Sequence, residues 1–225
     1  MKQSVKKKEN RYPKKIVIKG FISLVILLFI FGMLFIGAIR LGLFGGFPSD
    51  IALKQIHHNT ATNIYSVDNI LLGRYYLQNR TNESLDDIPE HFIHALIATE
   101  DVRFYIHKGI DYRSLMRVFV KSILLADKGS GGGSTITQQL AKNLYPRQDF
   151  GILTISVAKV KELFIAHKLE DFYGKDKILE LYLNTVSFGE NTYGLETAAL
   201  VFFNKETSDL KIEESAMLVG LLKAN

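Results

Sequence analysis

The chain has 225 residues, of which 47% are hydrophobic and 23% are charged, a balance typical of globular proteins and not of disordered ones. This length fits one folded domain, alone or with additional segments. The chain contains no cysteine, which excludes disulfide bonds and thiolate metal sites.

The net charge of +5 originates at the N-terminus. Residues 1–19 hold eight basic residues and one acidic residue, whereas the remainder holds 20 basic and 22 acidic residues. A nucleic-acid-binding domain would carry its positive charge on a folded face. The distribution therefore predicts a basic tail over residues 1–19 and no nucleic-acid partner.

An uncharged apolar segment, GFISLVILLFIFGMLFIGAI, follows at residues 20–39. As a helix it would be about 30 Å long, which matches the thickness of a bilayer core. The alternative, a cleaved signal peptide, has a shorter apolar region and a small-residue cleavage site, which FIGAIR resembles poorly. We expect a single-pass anchor in the cell membrane, with the basic tail cytoplasmic and everything after about Arg40 outside the cytoplasm.

Residues 40–82 are predicted to form a juxtamembrane linker and a weakly patterned segment. A hinge is expected at residues 42–50, and NIYSVDNILLGRYYLQN is compatible with a short strand or hairpin. From Asp86 onward the apolar spacing is helical, so this part is predicted to be mainly α.

The first predicted helix lies in DDIPEHFIHALIATED, with Asp87 as its cap and Pro89 in its first turn. Phe92, Leu96 and either Ala95 or Thr99 would share its buried face. Further helices are predicted in DYRSLMRVFVKSILLAD, from a Ser134 or Thr135 cap to about Leu144, over residues 155–172 up to a break at Gly174, and in DKILELYLNT, YGLETAALVFFN and KIEESAMLVGLLKA. The expected inward side chains of the second and fourth helices are Leu115, Val118, Phe119, Ile123, Val160, Leu163, Phe164 and Leu169.

The segment ATEDVRFYIHKGID places Glu100 beside Asp101 at a predicted helix end, with Arg103 and His107 close by. Neighbouring carboxylates near cations can hold very different pKa values, which suits one of them to general acid or base catalysis. The alternative is an ordinary solvated pair. No second His or carboxylate stands at the spacing of a metal motif such as H-E-x-x-H.

The stretch GSGGGSTITQQLAKN, at residues 129–143, runs from a glycine-rich loop into a helix. A nucleotide-binding P-loop would require a lysine after its last glycine, and a dinucleotide fingerprint would require a preceding strand, so both are disfavoured. A capped helix after a simple linker remains an alternative. The groups that could meet another phosphate are the backbone N–H groups, Ser134, Thr135, Thr137, Gln138, Gln139 and Lys142.

In AKVKELFIAHKLE, Lys159 and Glu162 are three residues apart and share a helix face, whereas Lys161 points elsewhere. A solvated charged helix is one interpretation. The other is a second carboxylate accompanied by lysines that neutralise an anionic leaving group.

Together these segments resemble the peptidoglycan glycosyltransferase (transglycosylase) family, found as a domain of class A penicillin-binding proteins and as monofunctional enzymes. Because these 225 residues leave no room for a penicillin-binding domain, we expect the monofunctional biosynthetic type; a fragment of a longer protein is the alternative. The resemblance implies a lysozyme-like, mainly α domain over residues 83–225, with a small membrane-proximal lobe and a short C-terminal part. It rests on five blocks in order: ATEDVRFYIHKGID, GGSTITQQLAKNL, KVKELFIAHKLE, ILELYLNTVSFGENTYGLETAALVFFNK and EESAMLVGLLKAN.

The resemblance implies that Glu100 is the catalytic base, taking the proton from the 4-hydroxyl of the acceptor GlcNAc. That oxygen attacks C1 of the MurNAc on a growing lipid-linked strand, undecaprenyl pyrophosphate leaves, and the linkage inverts. Glu162 matches the second essential carboxylate. The matched substrate-binding positions are Asp101, Arg103, Phe104, His107, Arg117, Ser134, Thr135, Gln138, Gln139, Lys142, Lys159 and Lys161.

The implied partners are lipid II, the growing glycan strand, the membrane and other cell-wall synthesis proteins. No cofactor is required, although Mg²⁺ or Mn²⁺ assists some members of the family. The glycine-rich loop is expected to be mobile and to become ordered when the lipid pyrophosphate binds.

The chain departs from the family in having Thr154 and Ala158 where arginines are usual, and Arg147 is a candidate replacement. Two rival functions are a weak or inactive membrane scaffold and a lysozyme-like enzyme that cleaves glycan with Glu100 as general acid.

Overall fold

A computed structural model describes residues 14–56, 62–68, 71–75, 83–124, 132–189 and 191–224. The chain divides into two compact units, Met1–Gly46 and Phe47–Asn225. Outside the described residues lie most of the predicted basic tail and two residues of the glycine-rich loop, Gly129 and Gly131. The expected mobility of that loop therefore stays a prediction.

The first unit contains one long helix, α1, at Lys14–Arg40. Within it, Ile18–Arg40 has a mean hydropathy of 2.9, and its side chains are almost all exposed. The helix is therefore long and apolar enough to cross a membrane, and the predicted segment at residues 20–39 falls inside it.

The second unit is mainly α-helical, as predicted. It begins with a short helix, α2 (Asp50–Lys54), and an antiparallel hairpin of β1 (Thr62–Tyr65) and β2 (Leu71–Tyr75). Of the two alternatives that the sequence left open here, a short strand or a hairpin, the structure has the hairpin. Its other helices are α3 (Glu90–Glu100), α4 (Tyr112–Leu124), α5 (Ile136–Leu144), α6 (Thr154–Phe172), α7 (Lys175–Leu183), α8 (Leu195–Phe203) and α9 (Ile212–Ala224). Short 3₁₀ turns lie at Leu85–Asp87, Gly151–Leu153 and Thr207–Asp209.

The start of α3 differs from the prediction. Asp87 does not cap this helix, because it is the last residue of the 3₁₀ turn at Leu85–Asp87. Pro89 occupies the cap position with φ −59° and ψ 135°, and its ring carries no side-chain acceptor for the helix N–H groups. At α5, by contrast, the Thr135 side chain accepts a hydrogen bond from the Gln138 N–H at 3.2 Å, so Thr135 is the cap.

The core of the second unit lies where α3, α5, α6, α7 and α9 meet. Phe92 and Leu96 of α3 are fully buried, as predicted. Ala95 packs against the same cluster, whereas Thr99 is exposed, which resolves the alternative on that helix. α3 therefore has one face in the core, and its C-terminal end carries Glu100.

The buried face of α6 was predicted correctly only at Leu169. Val160, Leu163 and Phe164 are half-buried, and the Phe164 ring packs edge-on against Phe47 with centroids 5.8 Å apart. A pattern of large hydrophobic residues does not predict the buried face of α6, because alanines and a buried carboxylate form part of that face. The buried residues are Val157, Ala158, Glu162, Ile165, Ala166 and Leu169.

The expected inward face of α4 is only partly buried. Leu115 is 36% exposed and Val118 is half-buried, whereas the side chains of Phe119 and Ile123 lie outside the described part of the chain. A Cβ atom added to Gly133 would lie 3.3 Å from Val118 Cγ2 and 3.6 Å from Leu115 Cδ2. These two side chains therefore face the end of the glycine-rich segment instead of the main core.

Candidate active site

An open pocket of about 720 Å³ lies between the C-terminal end of α3 and helices α4, α5, α6 and α9. The glycine-rich segment at Gly132 and Gly133 also lines it. The pocket brings together ten of the fourteen predicted site residues. They are Glu100, Asp101, Arg117, Ser134, Thr135, Gln138, Gln139, Lys142, Lys159 and Glu162.

Glu100 is half-buried at the last position of α3, and its two carboxylate oxygens differ in their surroundings. Oε2 accepts a hydrogen bond from Gln139 Nε2 at 2.7 Å. Oε1 is buried and has no hydrogen-bond partner among the described residues. One oxygen is thus held in place by Gln139, while the lone pairs of the other are unused by the described residues.

Asp101 has a different role from its neighbour. Its carboxylate contacts His107 Nε2, with both oxygens at 3.0 Å, and accepts a hydrogen bond from the Ile136 N–H at 3.0 Å. Asp101 therefore joins the segment after α3 to the N-terminus of α5. His107 is placed behind this carboxylate and does not line the pocket.

Gly109 provides a second set of hydrogen bonds between the segment after α3 and the N-terminal end of α5. Its carbonyl accepts hydrogen bonds from Thr135 Oγ1 at 2.7 Å and Gln138 Nε2 at 3.2 Å. The residue has φ +77°, and an added Cβ atom would lie 2.9 Å from the carbonyl oxygen of Ala166. A glycine is therefore required here for both conformation and space.

Arg103 and Phe104 support the site from outside the pocket. Arg103 donates hydrogen bonds to Asp111 Oδ2 at 2.6 Å and to Ser114 Oγ at 2.9 Å, which ties the segment after α3 to the start of α4. Burial alone would raise the pKa of Asp111, but hydrogen bonds from Arg103 and Ser114 outweigh it and lower the pKa to about 2. Phe104 is fully buried, and the Lys175 ammonium lies 4.4 Å from its ring centroid.

Glu162 is buried on α6 and is contacted by two cations. Lys159 Nζ lies 2.7 Å from Oε2 and also donates to Ser134 Oγ at 3.0 Å. Arg147 donates to Oε1 from Nη2 at 3.0 Å and from Nε at 3.2 Å. A buried carboxylate requires such partners, and here they also line the pocket.

Arg147 lies on the connection between α5 and α6, which Thr154 holds in place. Thr154 Oγ1 donates to Asp149 Oδ1 at 2.9 Å and accepts a hydrogen bond from the Phe150 N–H at 2.7 Å. Asp149 also accepts a hydrogen bond from the Gly151 N–H at 2.8 Å. Thr154, one of the two positions where the resemblance led us to expect an arginine, therefore organises the connection that brings Arg147 to the pocket.

Lys161 lies away from the pocket lining. Its ammonium is 6.0 Å from the Phe47 ring centroid and 5.9 Å from that of Phe150, and burial lowers its pKa. The sequence indicated that Lys161 points away from Lys159, and the structure agrees on this.

The pocket also contains residues that sequence reasoning did not select. Lys223 of α9, and Asp111 and Ser114 near the start of α4, line it. Helix position alone gave no signal for Lys223, because the terminal lysine of an amphipathic helix is ordinarily solvated. Within the described ranges, no group of three or more His, Cys, Asp or Glu side chains is placed to hold a metal ion.

Comparisons with known proteins agree with these features. Residues 68–225 match the sequence model of the family described as Transglycosylase. The chain is 39% identical to penicillin-binding protein 1F of Bacillus subtilis (strain 168), over 92% of this chain and 28% of that protein. It is 38% identical to penicillin-binding protein 1A of Aquifex aeolicus (strain VF5), over 94% of this chain and 28% of that protein. For penicillin-binding protein 1A of Neisseria lactamica the identity is 38%, over 86% of this chain and 25% of that protein. The chain thus spans about a quarter of the length of these relatives.

Proposed function

The chain belongs to the transglycosylase family, and from this premise we propose that it is a peptidoglycan glycosyltransferase that polymerises lipid II into glycan strands. The observation that carries the proposal is the convergence of Glu100 and Glu162 on one open pocket lined by basic side chains. A transfer that expels a pyrophosphate needs both a base for the acceptor and cations for the leaving group.

Glu100 is the proposed base, and its partner-free oxygen, Oε1, is the proton acceptor. The 4-hydroxyl of the acceptor GlcNAc gives its proton to Oε1 while its oxygen forms a bond to C1 of the donor MurNAc. The bond from C1 to the pyrophosphate oxygen breaks, and the electron pair leaves with undecaprenyl pyrophosphate. Attack from the opposite side converts the α-linkage into a β-linkage.

The leaving pyrophosphate gains negative charge in the transition state, so cations must already be in place. Lys159 and Arg147 are held at the pocket by Glu162, and Lys142 of α5 and Arg117 of α4 line the same pocket. In this proposal Glu162 positions the two cations instead of exchanging protons. Asp101, Thr135 and Gln138 act by holding α5 against the segment after α3.

We further propose that α1 anchors the chain in the cell membrane, with its N-terminus in the cytoplasm. Its length and hydropathy support an anchor, and the lysines of residues 1–19 support this orientation because basic flanks stay on the cytoplasmic side. The second unit, which carries the pocket, would then lie on the outer side of the same membrane.

The direct test is incubation of the purified full chain with lipid II in detergent, followed by gel separation of the products. Glycan polymer and undecaprenyl pyrophosphate are the expected products, and wild-type protein heated to destroy its fold is the control. Release of short muropeptides from finished cell wall would instead support the lysozyme-like enzyme. Neither product, from protein shown to be folded by circular dichroism, would support the scaffold.

A further inference from the structure

Tyr182 lies behind the pocket, on α7, and is connected to Glu100 through one side chain. Its ring is fully buried, and its hydroxyl lies 3.1 Å from Gln139 Oε1. Gln139 Nε2 in turn lies 2.7 Å from Glu100 Oε2. Three helices, α7, α5 and α3, therefore each contribute one group to a continuous hydrogen-bonded chain that ends at the proposed base.

The direction of donation along this chain is fixed by its charged end. An ionised carboxylate can only accept, so the amide nitrogen of Gln139 must face Glu100. The amide oxygen must then face Tyr182, and the phenol must donate to it. Burial raises the pKa of Tyr182, and the charge of Glu100 raises it further, so the phenol stays protonated and remains a donor.

We propose that Tyr182 is a positioning residue of the transfer reaction, which acts through Gln139 to hold Glu100 Oε2 and leave Oε1 as the oxygen that takes the proton. This inference rests on the proposed function for the identity of the reaction, but the hydrogen-bonded chain itself does not depend on it.

Without the phenol, the Gln139 amide keeps only its hydrogen bond to Glu100 and loses the contact that holds its oxygen, so it adopts other orientations more often. An amide that rotates by half a turn presents its oxygen to Glu100, so the carboxylate loses a donor and gains a repulsive neighbour. Loss of a hydrogen bond to the charged form raises the pKa of a carboxyl group. A base that must be ionised then works only at higher pH.

Other charged groups line the same pocket as Glu100, and a Tyr182→Phe substitution leaves every one of them unchanged. They are Asp101 and Asp111 on the segment after α3, Arg117 of α4, Lys142 of α5, Arg147 on the α5–α6 connection, Lys159 and Glu162 of α6, and Lys223 of α9. A change in the pH dependence of the variant therefore reports on the hydrogen bonds that connect residue 182 to Glu100 through Gln139.

The test compares Tyr182→Phe with the wild-type full chain in the lipid II polymerisation assay between pH 5 and pH 9. We expect kcat to fall about tenfold with KM within twofold, and the acidic limb of the pH profile to move up by about one pH unit. In a Gln139→Ala background, Tyr182→Phe should have no further effect, because its path to Glu100 is already cut. Independent, multiplicative losses, or an unmoved acidic limb, would overturn the proposal.

Tyr173→Phe is the matched control. The half-buried Tyr173 likewise donates a hydrogen bond from its hydroxyl, to the Leu53 carbonyl at 2.8 Å, but it is not among the described residues that line the pocket. This control should change thermal stability without moving the acidic limb. A limb that moved equally in both variants would mean that a general loosening of the fold causes the shift, and it would also overturn the proposal.

A second measurement separates this inference from the proposed function. Titration of the Glu100 carboxyl carbon by NMR, in wild-type and Tyr182→Phe protein in detergent micelles, requires no turnover. A higher pKa in the variant supports the positioning role, and an unchanged pKa overturns it. If the wild type makes no polymer, the proposed function fails, while the titration still decides whether Tyr182 acts on Glu100.

Discussion

Two guanidinium nitrogens of Arg147 donate hydrogen bonds to Glu162 Oε1, Nε at 3.2 Å and Nη2 at 3.0 Å. Arg147 lies on the connection between α5 and α6, and Glu162 lies on α6 itself. A residue outside the helix therefore contributes to the charged lining of the pocket. Arg147 and Lys159 occupy different oxygens of Glu162, and neither displaces the other.

Removal of the proposed base is the most severe expected change. We expect Glu100→Gln to lower polymerisation by about 10²–10⁴-fold, because the amide cannot accept the proton from the acceptor hydroxyl. Its melting temperature should match the wild type. Glu90→Gln, an exposed change on the same helix, should keep full activity. Turnover of Glu100→Gln at the wild-type rate would exclude Glu100 as the base.

Removal of Arg147 tests whether the α5–α6 connection supplies a needed cation. We expect Arg147→Ala to reduce kcat/KM by about 10–100-fold, since the pyrophosphate loses one charge-assisted contact and Lys159 alone holds Glu162. Steady-state kinetics with lipid II measures this loss. Arg113→Ala removes an exposed arginine of α4 and should have little effect. Equal activity of Arg147→Ala and Arg113→Ala would mean that Arg147 does not contribute to the reaction and only pairs with Glu162 in the folded structure.

Ala158 is 8% exposed and lies on the buried face of α6, where an arginine side chain has little room. We expect Ala158→Arg to destabilise the protein by about 1–3 kcal/mol through overpacking and not to raise turnover. Thermal unfolding and the polymerisation assay measure the two effects. A variant that is both stable and faster would show that the helix can direct the new side chain into the pocket.

Gly109→Ala should destabilise the second unit by about 2–3 kcal/mol. The substitution meets a positive φ and places Cβ 2.9 Å from the Ala166 carbonyl oxygen. Gly220→Ala is the control, because nothing lies within 4 Å of its Cβ position in α9, and it should stabilise that helix by up to about 1 kcal/mol. Differential scanning calorimetry compares them, and similar unfolding temperatures would contradict the steric argument.

Glu83 should give the protein a pH-dependent stability. Burial raises its pKa from 4.5 to about 7, and the negative charges of Glu196, Asp87 and Glu206 contribute, while a hydrogen bond from Thr207 opposes them. A carboxyl with a raised folded-state pKa contributes stability that is complete below the unfolded pKa of 4.5. That stability is lost as the pH rises towards 7, because the unfolded chain ionises first.

After allowance for solvent screening, we expect the free energy of unfolding to fall by about 1 kcal/mol between pH 5 and pH 8 through Glu83. Glu83→Gln cannot ionise and should remove this slope, whereas Glu213→Gln, on an exposed turn of α9, should keep it. Urea unfolding at several pH values measures the difference. Parallel curves for the wild type and Glu83→Gln would contradict the prediction.

Helix positions were predictable because their apolar residues repeat with the helical period, as Phe92 and Leu96 show. The faces were less predictable. On α6, Glu162 is buried because two cations pair with it, and a hydrophobicity pattern counts that position as solvent-facing. Asp87 does not cap α3 because it belongs to a 3₁₀ turn, and the local sequence carries no signal for that turn.

The site was predictable to the extent that its residues sit on short motifs. The motifs located Glu100, Gln139 and Glu162, all of which line the pocket. They did not separate residues that face the pocket from those behind it, such as Arg103 and His107, because that distinction depends on long-range packing. Tyr182 was missed because a tyrosine in an apolar helix pattern is indistinguishable from a core aromatic until its hydroxyl is seen to reach Gln139.

The pairing of Glu162 with Arg147 and Lys159 also bears on how the product escapes. A pocket that offered both cations bare would retain any diphosphate it released, and turnover would stall at that step. Under the proposed function, we expect Glu162 to compete with the leaving group for both cations and to pair with them again once it moves away. We therefore expect Glu162→Gln to bind inorganic pyrophosphate more tightly than the wild type in isothermal titration calorimetry, and weaker binding would contradict it. On this view the carboxylate sets the rate at which the pocket empties between successive sugar additions.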